Sequence, residues 1–344
     1  MNEPQTPTSE VATSEEKPPK RWRRPVTLGI VGVLVFSAGW LAVVRILSPW
    51  NALIVYDTGG DPQPEVDSLK LRVAVYNIAH GRGNGPGGFV SNFRGGDIDD
   101  HRDRLEKIAE FLKGSNLDIV ILNEVDFDTT WSHHLNQAEI IAKNAGFRYR
   151  LEQRNMDAAI PFFRMKYGNA VLSKHPIVAA ERLKYPVYSR FESLLMGSKQ
   201  GCVCTIKLSE KHNVDVIPVH LSHRSEPVRI RSADAIVEYL EAHSTPFIAA
   251  GDFNSTRVDF PVAEPDENGE TAMSRLLGEG PFHALPVDAP EESEMTYPFP
   301  KVASLIDWVL VAKPHRAVVR EVYPLGLSDH LPVISTVQLL EPVE

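Results

Sequence analysis

Cysteine is scarce in this chain, with two in 344 residues, Cys202 and Cys204. A disulfide framework is therefore excluded as the source of its stability. Their i, i+2 spacing on a stretch of strand character puts both on one face, a poor geometry for bridging each other. They read as small apolar residues. Positive charge is also in deficit, at a formal net of -9. Residues 1–50 carry six Lys or Arg and four Asp or Glu, leaving -11 on the remainder. No chain-wide basic surface for a polyanion follows from that balance. The Gly-rich stretch 81–96 lacks the Gly-Lys-Ser/Thr ending of a P-loop and reads as a rim loop, with Arg82 and Arg94 available to an anion. No solenoid period is present. What remains is ordinary for a folded domain: 43% hydrophobic and 24% charged residues. The length suits one large domain plus an appendage.

Residues 26–44, VTLGIVGVLVFSAGWLAVV, lack charge altogether. As a helix they would extend ~28 Å, close to the hydrocarbon thickness of a bilayer. Lys17, Lys20, Arg21, Arg23 and Arg24 crowd the front edge, and only Arg45 follows directly. The positive-inside rule puts the N-terminus in the cytoplasm and the bulk of the chain outside it, in a bacterial periplasm or at the cell surface. Trp22, Trp40 and Trp50 suit interfacial anchoring. A cleaved signal peptide is the competing reading; the long leader, the long apolar run and Arg45-Ile46-Leu47 at the would-be cleavage site disfavour it. The expected organisation is a disordered tail over 1–25, a transmembrane helix over 26–44, a linker over 45–68 punctuated by Gly59-Gly60-Asp61-Pro62 and Pro64, and a large domain over 69–344.

Within that domain, strand patterns are expected at 71–77, 118–123, 148–152, 170–173, 202–208, 214–220, 247–250, 304–311 and 333–339. Helical periodicity appears at 99–112, 135–145 and 230–242. Many strands run directly into a polar residue: Asn77, Glu124, His220, Asp252 and Asp307. In a packed sandwich, strands ending on one edge would gather those groups there.

These residue types suit hydrolysis of a phosphate ester. The attacking oxygen must approach an anionic centre, and a divalent cation neutralises that charge. Carboxylate and amide oxygens are the ligands Mg²⁺ prefers, with Glu124 foremost and Asn77 and Asp329 beside it. Asp252 suits orientation or deprotonation of water, and Asn254 hydrogen bonding to phosphate. His330 can pair with Asp307, which would fix its tautomer and charge. His220 suits donation to a phosphate oxygen or the leaving group, and His223 and Arg224 on the following loop suit an anion pocket.

The ordered segments VAVYNIAHG, DIVILNEVD, GNAVLSKHPI, IPVHLSH, AAGDFNS, SLIDWVLV and GLSDHLPV resemble the endonuclease/exonuclease/phosphatase superfamily, from about residue 69 to 340. The resemblance implies an α/β fold, a four-layer αββα sandwich of two mixed β-sheets flanked by helices, here preceded by the transmembrane helix. It implies Mg²⁺ or Mn²⁺ dependence. By motif position it implies Asn77 and Glu124 at the metal with Asp329 beside it, and His220, Asp252, Asn254, Asp307 and His330 in catalysis. His223 and Asn169 match positions near phosphate in some members. The NIAHGRG and HLSHR segments are similar to a branch that includes bacterial membrane-associated hydrolases and the phosphatase-like domain of proteins of glycosylphosphatidylinositol-anchor (GPI-anchor) lipid remodelling. Asn123 stands where the family usually has Gln before the metal Glu, a shorter amide with a different reach.

The expected function is a membrane-anchored, metal-dependent phosphoesterase, with a lipid headgroup, lipid-linked or small phosphoester favoured over nucleic acid by the acidic net charge. An extracytoplasmic nuclease is the alternative within the class. A membrane-anchored binding protein that lost the reaction is the alternative outside it, disfavoured because Glu124, Asp252 and His330 are all present.

Overall fold

The computed structural model describes residues 20–47, 52–59, 69–84, 95–160, 163–186, 188–189 and 200–340. The chain divides into two units, Met1–Leu47 and Ser48–Glu344. The first contains helix α1, Lys20–Leu47, with Pro25 in its early turns. Its large apolar side chains Val26, Leu28, Ile30, Val31, Val33, Leu34, Val35 and Phe36 are all exposed. Among the described residues no helix is long and apolar enough to cross a membrane. The expected span 26–44 ends on positions whose side chains lie outside the described set; of the expected disordered tail over 1–25, positions 1–19 lie outside the described residues and 20–25 are helical in α1.

The second unit holds two mixed sheets. One is ordered β1 (Leu53–Asp57), β4 (Tyr149–Ile160), β5 (Phe163–Ser173), β3 (Ile119–Asp126), β2 (Lys70–Asn77), β13 (Val333–Gln338), β12 (Arg316–Val322). The other runs β10 (Phe282–His283), β11 (Asp307–Ala312), β9 (Phe247–Asp252), β8 (Asn213–His220), β7 (Gly201–Lys207), β6 (Ile177–Leu183). One parallel pair lies at the heart of each sheet, β2 with β3 and β8 with β9. These central strands read as near-continuous apolar runs because both faces are buried.

Three apolar clusters define the layers. Between the sheets, Val73, Val75, Ile119 and Ile121 meet Val214, Val216, Ile248 and Val309. On the outer face of the first sheet, Tyr76 and Leu122 pack with Leu105 and Ile108 of α2 (Ile98–Gly114) and Ile141 of α3 (Gln137–Ala145). On the outer face of the second, Ile217 and Trp308 pack with Ala233 and Ile236 of α4 (Glu226–Glu241) and Met273 of α5 (Ala272–Leu276). The expected αββα layering is therefore present in this unit. Cys202 and Cys204 are free and buried in the inter-sheet layer, where burial pushes both thiols up.

Local sequence explains the helix boundaries. Asp97 caps α2 in a capping box with Asp100. Asn136 caps α3, which stops at Gly146 with φ 82°. Pro227 stands in the first turn of α4, so that helix begins ahead of the expected start at 230.

Two expectations need correction. The linker over 45–68 contains strand β1, paired antiparallel with β4 from Leu53↔Gln153 to Asp57↔Tyr149. The run LIVYD is strand-prone, and the Gly/Pro punctuation begins only after it. Positions 48–51 and 60–68 lie outside the described residues. The strands at 148–152 and 170–173 are also longer than expected, forming the β4–β5 hairpin. Polar residues hide that extension, and they are paired: Arg154 bonds Glu152 at 2.7 Å and Asp157 at 2.8 Å.

Candidate active site

The ends of the two parallel pairs meet at one edge of the sandwich. Asn77 is opposite Asn123 in the first sheet, and His220 is opposite Asp252 in the second. Across β11, Asp307 is opposite Asp252. Asn123 joins the sheets: its Oδ1 accepts from the Asp252 backbone N–H at 2.9 Å, and its Nδ2 donates to the Val219 carbonyl at 2.9 Å. The chain at Gly251 passes so close that a Cβ there would lie 1.9 Å from the Val219 carbonyl oxygen, and its φ is +145°. Only glycine fits both demands.

Asp252 is the hub. Its Oδ2 accepts from Asn77 Nδ2 at 3.1 Å, and its Oδ1 accepts from the Asn254 backbone N–H at 2.8 Å. His220 Nε2 stands 3.6 Å from Asp252 Oδ2 and 3.8 Å from Glu124 Oε1. Glu124 sits at a bulge in the β3–β5 pairing, with φ 51°. Such a bulge re-aims a side chain, here off the strand and toward the site. Asn254 also has a left-handed backbone, φ 50°, and its Nδ2 donates to the Leu221 carbonyl at 3.2 Å.

Opposite them, His330 Nδ1 is 2.9 Å from Asp307 Oδ2, and both residues are buried. His330 Nε2 is 3.9 Å from Asp252 Oδ2. Burial works against a charged imidazole, but the Asp307 carboxylate, by charge and hydrogen bond, overrides it with help from Asp252 and Asp329. The His330 pKa is lifted to about 10. The Ser328 hydroxyl donates to the Asn77 carbonyl at 2.7 Å and ties this loop to β2. The Asp329 carbonyl accepts from the Phe299 N–H at 2.7 Å.

The donor set fits a hard divalent cation. Glu124 offers a carboxylate that is 30% exposed, Asn77 an amide oxygen with one lone pair committed to the Ala79 N–H at 3.0 Å, and Asp329 a second carboxylate. Asp252, Asp307 and His330 also bring ligand-type atoms within 4.8 Å of one another. They are the poorer choice. His330 gives Nδ1 to Asp307, and a pKa of about 10 keeps its other nitrogen protonated at neutral pH.

Asn169, expected near phosphate, lies one hydrogen bond behind Asn123. It is buried, accepting from Asn123 Nδ2 at 3.0 Å and donating to Gln153 at 3.2 Å. It holds Asn123, and the motif position that suggested it does not show which way it faces. His223 and Arg224 are exposed on the loop after β8, with Arg224 Nε 3.1 Å from His223 Nε2. Arg82 Nη2 is 3.9 Å from Glu124 Oε2, and Arg94 lies outside the described residues.

Two residues went unrecognised in the sequence. His80 Nδ1 is 2.7 Å from Asp126 Oδ1, and its Nε2 is 3.5 Å from Glu124 Oε2. The histidine lies inside the NIAHG segment and the aspartate two residues after Glu124, so both were in view. No residue pattern links them; their contact comes from the parallel β2–β3 pairing.

A family model described as the Endonuclease/Exonuclease/phosphatase family matches residues 74–330. No curated protein matches the sequence. Among solved structures, an endonuclease/exonuclease/phosphatase from Bacteroides vulgatus superposes with a TM-score of 0.55 at 18% identity, covering 79% of this chain and 99% of its own. One from Beutenbergia cavernae gives 0.50 at 20% identity, covering 78% and 72%. TDP2 of D. rerio, complexed with single strand DNA product, gives 0.53 at 12% identity, covering 78% and 99%. At such identities the likeness is one of fold.

Proposed function

The chain belongs to the endonuclease/exonuclease/phosphatase family, a family of hydrolytic phosphoesterases and nucleases, and we propose that it is a membrane-anchored phosphoesterase dependent on Mg²⁺ or Mn²⁺. The observation that carries this reading is the meeting of Glu124, His220, Asp252, His330 and Asp307 at one sandwich edge, each within 4 Å of the next in that order.

Asn77, Glu124 and Asp329 would hold the ion. When bound, it supplies charge neutralisation for the phosphate and stabilisation of the departing oxygen. The protein's own groups handle orientation and protons. Asp252, fixed by Asn77 and the Asn254 N–H, aligns water for in-line attack and takes its proton. His220 faces both Glu124 and Asp252, where it donates to a phosphate oxygen. His330 is held charged by Asp307 and sits close enough to Asp252 to stabilise its anion or to protonate the leaving oxygen. Asn254 adds a donor at the same edge, and Arg224, whose Nε donates to His223 Nε2, brings positive charge to the loop.

The tether is inferred from the uncharged run over 26–44, the basic residues before it and the exposed apolar side chains of α1. On this reading the site works outside the cytoplasm. A lipid headgroup, lipid-linked or small phosphoester is favoured by the tether and by the -11 charge beyond residue 50. GPI-anchor lipids are one class of such substrate. A nuclease is the second reading, favoured by the single strand DNA product in the D. rerio TDP2 structure. A panel assay of the full chain with Mg²⁺ or Mn²⁺ decides between them. Sphingomyelin, phosphoinositides and bis-p-nitrophenyl phosphate are set against DNA and RNA. Faster turnover of lipid substrates supports the first reading, and turnover of DNA or RNA alone overturns it.

A further inference from the structure

Glu124 lies among basic side chains, with Oε1 3.8 Å from His220 Nε2 and Oε2 3.5 Å from His80 Nε2 and 3.9 Å from Arg82 Nη2. Of these, His80 is anchored at its far end by a closed network. Its Nδ1 meets Asp126 Oδ1 at 2.7 Å. Asp126 is fully buried, and its Oδ2 accepts from the Thr129 hydroxyl and from Trp131 Nε1, each at 2.8 Å. Gln137 clamps both partners, donating to the His80 carbonyl at 2.6 Å and accepting from the Asp126 N–H at 2.9 Å. The rings of Tyr167 and Trp131 meet the imidazole edge-on, at 5.5 and 6.2 Å between centroids. His80 itself sits in a tight turn with φ 56°.

Such a network has a clear physical purpose. A glutamate side chain 30% exposed at a bulge has rotamer freedom to lose before it can bind an ion. An imidazole locked at one nitrogen by a buried carboxylate points the other in a fixed direction, as the partners of metal-ligating groups commonly do. We propose that His80, held by Asp126, is a positioning residue that fixes the Glu124 carboxylate for the divalent cation. This rests on the reading of Glu124 as a metal ligand.

The opposite effect is also available. A cation beside a metal site repels the metal, so deleting it could tighten binding. The two effects separate by substitution. His80→Ala removes both the charge and the N–H toward Glu124. His80→Gln removes the charge but keeps an amide N–H on that side.

The test is calorimetric titration of the full chain with Mn²⁺ alone, and a melting curve in chelator to check folding. The expected result is a dissociation constant raised ~10–100-fold in His80→Ala, largely restored in His80→Gln, with each variant still showing one cooperative melting transition in chelator. Equal or tighter binding by His80→Ala overturns the proposal, as does equal weakness of the two variants. If His80→Ala does not fold, Asp126→Asn decides the same question, and unchanged affinity overturns it. Failure of the wild-type protein to bind Mn²⁺ at all instead defeats the metal-ligand reading of Glu124.

Discussion

The Asn123 side chain accepts a hydrogen bond from the backbone N–H of Asp252 at 2.9 Å, across the seam between the two sheets. Asp252 is thereby held from below by the first sheet while its carboxylate faces Asn77, His220 and His330. The site is rigid because one buried amide belongs to both layers. Asn169 and the Val219 carbonyl satisfy its nitrogen.

Asn123→Ala therefore strands several buried polar groups at once. An unsatisfied buried donor or acceptor costs about 1–3 kcal/mol. Urea unfolding of the variant is expected to show at least ~2 kcal/mol lost. Turnover is expected to fall by at least ~10-fold, since displacement of a catalytic carboxylate is costly. Unchanged stability and turnover would remove the seam from the account.

Gly251→Ala is expected to be worse than a typical surface substitution. The new Cβ would meet the Val219 carbonyl at 1.9 Å, and the backbone there has φ +145°. Strain of that kind costs on the order of 1–3 kcal/mol before any steric clash is counted. A thermal melt compared with that of Gly278→Ala, where a Cβ would meet no atom within 4 Å, isolates the close approach. Equal melts would contradict it.

The Asp307–His330 pair gives a pH signature in the ion-free protein. The folded-state pKa of His330 is raised to about 10 from an ordinary 6.5. Proton binding therefore favours the folded state. This contribution is complete below about 6.5 and is lost as pH climbs toward about 10. The stability gap between wild type and His330→Gln, measured in urea with chelator, is expected to narrow over that window. A gap that widens with pH would contradict the pairing.

Truncation tests where the second unit begins. A chain starting at Ser48 keeps β1 on the edge of β4, whereas one starting at Leu69 exposes that edge. The first is expected to melt with the full chain and the second several degrees lower, because a sheet edge and its cover are removed. The Ser48 chain is also expected to leave the membrane fraction. Identical melting of the two truncations would show that β1 contributes nothing.

Much of this architecture was legible in the sequence because its signals are local. Apolar runs ending at Asn77, Glu124, His220, Asp252 and Asp307 marked strands and their polar tips. The family motifs then ordered those tips at one edge. Contacts set by pairing were not legible. Asn169 was suggested by motif position alone, which does not reveal its hydrogen bond with Asn123. His80 and Asp126 are 46 residues apart and meet through the parallel β2–β3 register. Strand β1 was hidden by the Gly- and Pro-rich residues behind it, and β6, exposed at four of its seven positions, lacks the apolar alternation that marks a strand.

The most direct measurement is hydrolysis of bis-p-nitrophenyl phosphate by the purified full chain with Mg²⁺ or Mn²⁺ and with chelator, in wild type, Glu124→Gln, Asp252→Ala and His330→Ala. The expected result is metal-dependent turnover in wild type, abolished by chelator, and at least ~100-fold lower in the Asp252 and His330 variants. The Glu124 variant is expected to need far more metal to reach half its rate. Turnover indifferent to chelator, or near wild-type rates in both Asp252→Ala and His330→Ala, would contradict it.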